Sequence, residues 1–127
     1  MGSKTMKKMT PGELFRWQWQ GYPRYHASRS NLLIHIIGVP MFLAGNLGVV
    51  YGLFRGLSGV AVFYAVIAVA GFAVQGLGHK LEAVPPVPFS SASSALLRIL
   101  FEQWIHFPRF VVTGGWFNAF SAASPDS

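Results

Sequence analysis

The sequence predicts an all-α membrane protein: an antiparallel transmembrane helical hairpin with flanking interfacial helices. Three observations carry this. Residues 36–54 and 56–78 form runs of 19 and 23 positions without a charge, interrupted only by Arg55. At 1.5 Å per residue either run covers about 30 Å, the thickness of a bilayer's hydrocarbon core. Apolar residues make up 52% of the chain and charged residues 11%, whereas soluble domains carry about a quarter charged residues. Finally, a connection as short as Arg55-Gly56 forces the two helices to run antiparallel. A buried helix pair in a soluble protein is the competing reading, but two adjacent uncharged runs are unusual in so short a soluble chain.

At 127 residues the chain makes one domain, 1–127, with spans at about 35–54 and 57–78 and interfacial helices at about 11–20 and 95–107. Thr10-Pro11-Gly12-Glu13 reads as a helix start, with Thr as N-cap, Pro in the first turn and Glu placed to close a capping box. Leu14, Phe15, Trp17 and Trp19 then alternate with Arg16, Gln18 and Gln20, which suits a short helix at a membrane surface. Ser28 or Ser30 is placed to cap the first span. Gly45, Gly48 and Gly52, followed by Gly56, Gly59 and Gly71, allow close helix packing in lipid. Pro85-Pro86-Val87-Pro88 is extended. The helix from Ala95 carries Arg98, Glu102 and His106 on one stripe and is expected to stop at Pro108. Val111 to Phe120 is apolar, and a frayed tail is expected from Ser121.

Charge orients the hairpin. Ten Lys+Arg against four Asp+Glu give +6. Six of the basic residues precede the hairpin (Lys4, Lys7, Lys8, Arg16, Arg24, Arg29), three follow it (Lys80, Arg98, Arg109) and Arg55 stands in the turn. The positive-inside rule then places both termini in the cytoplasm, in a bacterial inner membrane or the endoplasmic reticulum of a eukaryote. No apolar stretch before residue 32 makes a signal peptide, and Gly2 opens no myristoylation match because position 6 is Met6. The basic excess belongs to a surface facing anionic lipid, and the aromatics form no nucleic-acid pattern. With no cysteine, disulfides, thiolate metal sites and a Cys nucleophile are excluded. Neither a phosphate loop nor Gly-x-Ser-x-Gly is present.

Histidine placement is the chemical signal. His26, His35, His79 and His106 all lie outside the two apolar cores. His35 opens the first span and His79 closes the second, so an antiparallel hairpin makes them neighbours at one membrane face, with His26 and His106 at the same depth. Imidazole is the commonest metal-ligating side chain. Glu82 lies three residues after His79 and is one of only four acids. An acid at a membrane boundary is costly unless paired or ligating. A His/carboxylate set with open positions suits non-haem Fe(II), and Zn(II) also fits the donors. Asn31 is one turn before His35, and Gln75 one turn before His79; each can orient a ring or touch a substrate. Glu102 and His106 can form a second pair, with His106 placed to touch a substrate or a ligand; the ordinary reading is an i, i+4 contact on a helix surface.

Tyr25-His26, Asn31, His35 followed by Ile37-Gly38-Val39-Pro40, then Gln75, Gly78-His79, Glu82 and the prolines after it resemble the 2-hydroxy-fatty-acid dioxygenase family. The likeness covers residues 22 to about 90. It implies an Fe(II)-dependent membrane enzyme of fatty-acid α-oxidation, which uses molecular oxygen to shorten a long-chain 2-hydroxy fatty acid by one carbon. It also implies His26, His35 and His79 as iron ligands with Glu82 as a further one, while His106 lies beyond the shared stretch. Two other classes stand beside it: a haem protein with His35 and His79 as axial ligands, and a non-catalytic membrane adaptor.

Overall fold

The computed structural model describes residues 8–127, and among these every regular element is helical. Gly2, Lys4 and Lys7, used above for lipidation and charge, lie outside the described residues. In chain order the elements are α1 (Pro11–Gln20), α2 (Tyr22–Tyr25), α3 (Arg29–Phe54), α4 (Ser58–His79), α5 (Ala92–Phe101), a π-helical turn (Glu102–His106), α6 (Phe107–Val112) and α7 (Gly115–Ala122).

The predicted caps form. Thr10 accepts from the Glu13 amide, and Glu13 accepts in return from the Thr10 amide. Ser28, not Ser30, caps α3 through the Asn31 amide. That start is earlier than the expected boundary near residue 35, so His35 lies inside the helix rather than at its opening. α3 and α4 are each long and apolar enough to cross a membrane. They pack antiparallel along a seam of small residues. A methyl group on Gly45 would lie 2.6 Å from the Ala68 backbone nitrogen, and one on Gly52 2.6 Å from that of Ala61. One on Gly38 would lie 2.8 Å from the Gly71 carbonyl. The turn between the helices uses Gly56 at φ +67, a left-handed backbone that other residues rarely adopt.

Away from the seam the two helices are bare. Leu47, Val50, Leu53, Phe54, Val62 and Val69 are all exposed. The core lies at the open end of the pair, where Tyr22, Leu32, Val39, Phe107 and Phe110 pack together. The C-terminal segment closes over this end. Trp116 donates its indole N–H to the Leu32 carbonyl at 3.0 Å. Arg29 stacks on Phe120 with 4.7 Å to the ring centre and donates to its carbonyl. Ser30 donates to the Ser127 carbonyl through both its amide and its hydroxyl. The tail from Ser121 is therefore pinned to the start of α3 rather than frayed.

Pro108 does not end the third long helix, which runs from Ala92 to Val112 with a change of pitch before the proline. Pro108 has no N–H to give, and its ring presses on the preceding turn. The π-helical turn at Glu102–His106, closed by the Phe107 amide on the Glu102 carbonyl, absorbs both. A wider turn also redirects side chains, and such turns recur at functional sites.

Candidate metal centre

Three imidazoles meet at the open end of the α3–α4 pair. Ring centres of His26, His35 and His79 are 4.8, 4.9 and 5.0 Å apart, with planes between 78° and 89° to one another. His26 ends α2, His35 stands in the second turn of α3 and His79 is the last residue of α4. The fourth member is Glu102, from the π-helical turn, and one donor atom from each of the four residues lies within 4.8 Å of the others. Donors bonded at about 2.1 Å to one metal stand roughly 3–4 Å apart, so a small inward adjustment closes this set around an ion.

Proton placement makes the case sharper. His26 Nδ1 is 2.8 Å from the Tyr22 carbonyl and His35 Nδ1 is 3.0 Å from the Asn31 carbonyl. A carbonyl only accepts, so both Nδ1 atoms carry the proton. In the neutral rings each Nε2 is then a lone pair. Those lone pairs face a carboxylate oxygen: Glu102 Oε2 is 3.1 Å from His26 Nε2 and 3.6 Å from His35 Nε2. His35 Nε2 and His79 Nδ1 are buried without any hydrogen-bond partner. Acceptors converging in this way need a cation among them, either protons on the rings or a metal ion. Metal-bound histidines characteristically hold their second nitrogen on a carbonyl in the same manner.

Glu102 is kept ionised. Burial pushes its carboxyl up, but the hydrogen bonds and charge of His26 and His35, when those rings carry a second proton, hold it well below the usual carboxylate range. Tyr22 donates its hydroxyl to the same oxygen at 2.8 Å. Burial and the Glu102 charge raise the Tyr22 phenol well above its ordinary value, so it remains a donor. Its ring also lies flat on His26, centres 3.8 Å apart at 9°.

Glu82, the carboxylate expected from sequence, is not in the cluster. Its two oxygens take the backbone amides of Ala27 and Ser28 at 3.0–3.1 Å. It also accepts from the Asn31 side chain at 2.7 Å. A carboxylate on the free amides at a helix start is where the helix dipole favours negative charge. Glu82 thus ties the end of α4 to the beginning of α3. Asn31 serves the site through its backbone carbonyl on His35, and its side chain serves Glu82. Gln75 forms a reciprocal amide pair with Gln103, at 2.9 and 2.7 Å, and donates to the Gly71 carbonyl. That pair fastens the π-helical turn, and with it Glu102, to α4.

His106 is outside the cluster. It is fully buried among Phe15, Trp19, Tyr22 and Phe101, with ring centres 4.6–6.3 Å away, and neither ring nitrogen has a partner. Of the residues sequence reasoning missed, Glu102 had one available signal. Among the four acids, Glu13 belongs to a capping box and Asp126 to the tail, which leaves Glu82 and Glu102, and of these two only Glu102 is a charge inside an apolar helix. Tyr22 and Gln103 carried no such signal.

A chamber of about 600 Å³ opens beside the cluster. His26, His79 and Glu102 form its inner end, Arg98 and the 86–89 strap one wall, and Phe72 with Gly76 of α4 another. The chain was compared with protein-family models, curated proteins and solved structures, and nothing matches it in any of the three.

Proposed function

We propose that this protein is an Fe(II)-dependent membrane dioxygenase that shortens long-chain 2-hydroxy fatty acids by one carbon. The observation that carries the metal is the convergence of His26, His35, His79 and Glu102, with the proton-bearing nitrogens of two rings fixed on carbonyls. Three imidazoles and one carboxylate would hold an ion, and this donor set suits Fe(II) chemistry with oxygen. The substrate comes from the sequence resemblance, and the chamber adjoining the cluster supports it by offering an apolar route from the donors to the exposed flank of α4.

Bound iron would supply a Lewis-acidic, oxygen-reactive centre with room for a hydroxyl and a carboxylate side by side. The chain's own residues do the rest. His26, His35, His79 and Glu102 hold the ion. Tyr22 and the two carbonyls orient those ligands. Gln75 and Gln103 keep Glu102 in register. The net reaction needs no second reductant: the 2-hydroxy acid and one O2 give the acid shorter by one carbon, CO2 and water. The C1–C2 bond breaks, C1 leaves as CO2, C2 becomes the new carboxyl carbon, and the four electrons the substrate loses go to O2.

The haem alternative is disfavoured by the same geometry. His35 and His79 rings are nearly perpendicular with centres 4.9 Å apart, and His26 fills the space beside both, so no slot for a macrocycle separates them. The adaptor alternative leaves the converging lone pairs without a purpose. In this reading α3 and α4 form the transmembrane hairpin, α1 and α5 lie at the interface, and both termini are cytoplasmic. With Ser58→Cys and Ser121→Cys variants, an impermeant thiol reagent outside should label only position 58; labelling of 121 alone would reverse the orientation.

The test of function is iron-loaded protein, oxygen and 2-hydroxyhexadecanoic acid, read by mass spectrometry. Pentadecanoic acid is the expected product, lost with chelator and in His35→Ala or His79→Ala. Equal turnover of hexadecanoic acid would overturn the chelation argument. No turnover of any chain length with iron verified in place would overturn the enzymatic reading.

A further inference from the structure

We propose that the chamber beside the cluster is a fatty-acid site loaded sideways from the bilayer, with Arg98 as the carboxylate anchor and Gly76 as the opening for the acyl tail. The identity of the substrate rests on the function proposed above. Binding of the acid itself needs no metal and no turnover, so the two readings can fail separately.

Arg98 is held in an unusual way. Its terminal nitrogens donate to the Val87 carbonyl at 2.9 Å and the Pro88 carbonyl at 3.2 Å. The guanidinium lies 4.5 Å from the Phe89 ring centre and 5.4 Å from that of Trp17. Its Nε is buried with no partner at all. A buried cationic N–H left without an acceptor is costly, and this one belongs to a side chain that lines the chamber. Guanidinium binds carboxylate best through two parallel N–H groups. Nε is buried, so an anion in the chamber reaches it as the guanidinium turns off the Val87 and Pro88 carbonyls. Arg98 is also one helical turn before Glu102, which puts the anchor about 5–6 Å along the helix from a metal ligand. A carboxylate that gives one oxygen to Arg98 therefore keeps its other oxygen, and the hydroxyl of the next carbon, turned toward the cluster.

The other end of the chamber faces outward. Phe72 and Phe89 are 37% and 50% exposed although both line it. Gly76 is exposed too, and a side chain there would meet nothing within 4 Å. Phe72 meets Phe42 of α3 at the edge of the helix pair, with ring centres 5.8 Å apart, and on α4 beyond it Val69 and Leu77 are bare apolar side chains. A volume near 600 Å³ is within the range of about 300–1,000 Å³ that holds a drug-sized ligand. It takes the polar end and the first part of a long tail. The remainder leaves past Gly76 into lipid. One charged end and one apolar exit select a single-chain amphiphilic acid.

The experiment uses the full chain in phosphatidylcholine nanodiscs, without metal, and hexadecanoic acid bearing a photoreactive diazirine near the middle of its chain, where the tail would pass Gly76. The 2-hydroxy acid and the methyl ester serve as competitors. Crosslinks are expected at Phe72, Gly76 or Phe89, with the acid competing at least tenfold better than the ester. Gly76→Trp should cut the crosslink yield at least tenfold. Gly59→Trp, on the same helix but outside the chamber and equally free of neighbours, should leave it unchanged. Arg98→Gln should abolish the preference for acid over ester; a residue that only braced the strap would lower both alike. Equal crosslinking in Gly76→Trp and wild type, or no acid preference in wild type, overturns the proposal even if iron-loaded protein turns over substrate. Binding as described without turnover leaves this site standing and removes the dioxygenase reading.

Discussion

The two ends of the α3–α4 pair are built on opposite principles. Toward the turn, Gly45 and Gly52 meet Ala68 and Ala61, and the helices approach until backbone touches side chain. Among the described residues no buried polar side chain lies in that half. At the open end, His26, Ser28, Asn31, His35, Gln75, Gln103 and His106 are all buried. The first half is held by close packing alone, which small residues permit in a solvent where burial of apolar surface gives little. Polar groups in the second half need partners, and α2, Glu82 and the π-helical turn supply most of them, with His106 left without one. The same pair of helices thus has an inert end that sets spacing and a reactive end that uses it.

The largest expected effect separates the two carboxylates of the reactive end. Glu102→Gln should lower metal affinity by more than the roughly 10–100-fold typical of an outer partner, since it removes a ligand charge. Glu82→Gln should cost about 1–3 kcal/mol of stability through weakened bonds to the Ala27 and Ser28 amides, with metal affinity reduced far less. Metal titration and thermal unfolding of both variants read the two quantities, and the reverse ranking would show that the carboxylates have been assigned the wrong way round. Next comes the inert end. Gly45→Val would press on the Ala68 backbone and cost about 1–3 kcal/mol by overpacking, while metal bound per folded molecule stays constant. A loss of metal in the folded fraction would show that spacing at the turn is transmitted to the site. The smallest effect is expected at His106. Both its nitrogens lack partners, so replacing a buried polar ring with an apolar one of similar shape is nearly neutral. His106→Phe should leave both stability and metal content close to wild type; a large metal loss would bring His106 into the cluster's chemistry.

Histidine convergence was legible because an antiparallel pair joined by two residues must place its two outer ends side by side, whatever the details of packing. His35 and His79 follow from that alone. The carboxylate was not legible. Glu82 is three residues from His79, which reads as one helical face, but α4 ends at His79 and the chain turns back toward the start of α3. Glu102 read as a surface partner of His106, because a regular helix keeps residues four apart on one face. The π-helical turn breaks that rule and sends the first to the cluster and the second into an aromatic pocket.

What the sequence determined by itself is therefore local or forced by length: the helix cap at Thr10, a serine cap at Ser28 or Ser30, two apolar helices long enough to cross a membrane, their short connection, and imidazoles gathered at one end. Each depends on residues within a turn or two of one another, or on the span a run of given length must cover. What only the tertiary structure decided is which acid joins the histidines, which nitrogens carry protons, and where a chamber opens. Those depend on contacts between segments far apart in the chain, such as Gln75 with Gln103 and Glu82 with Ala27. They also depend on one widened turn, whose effect on side-chain direction no regular periodicity contains.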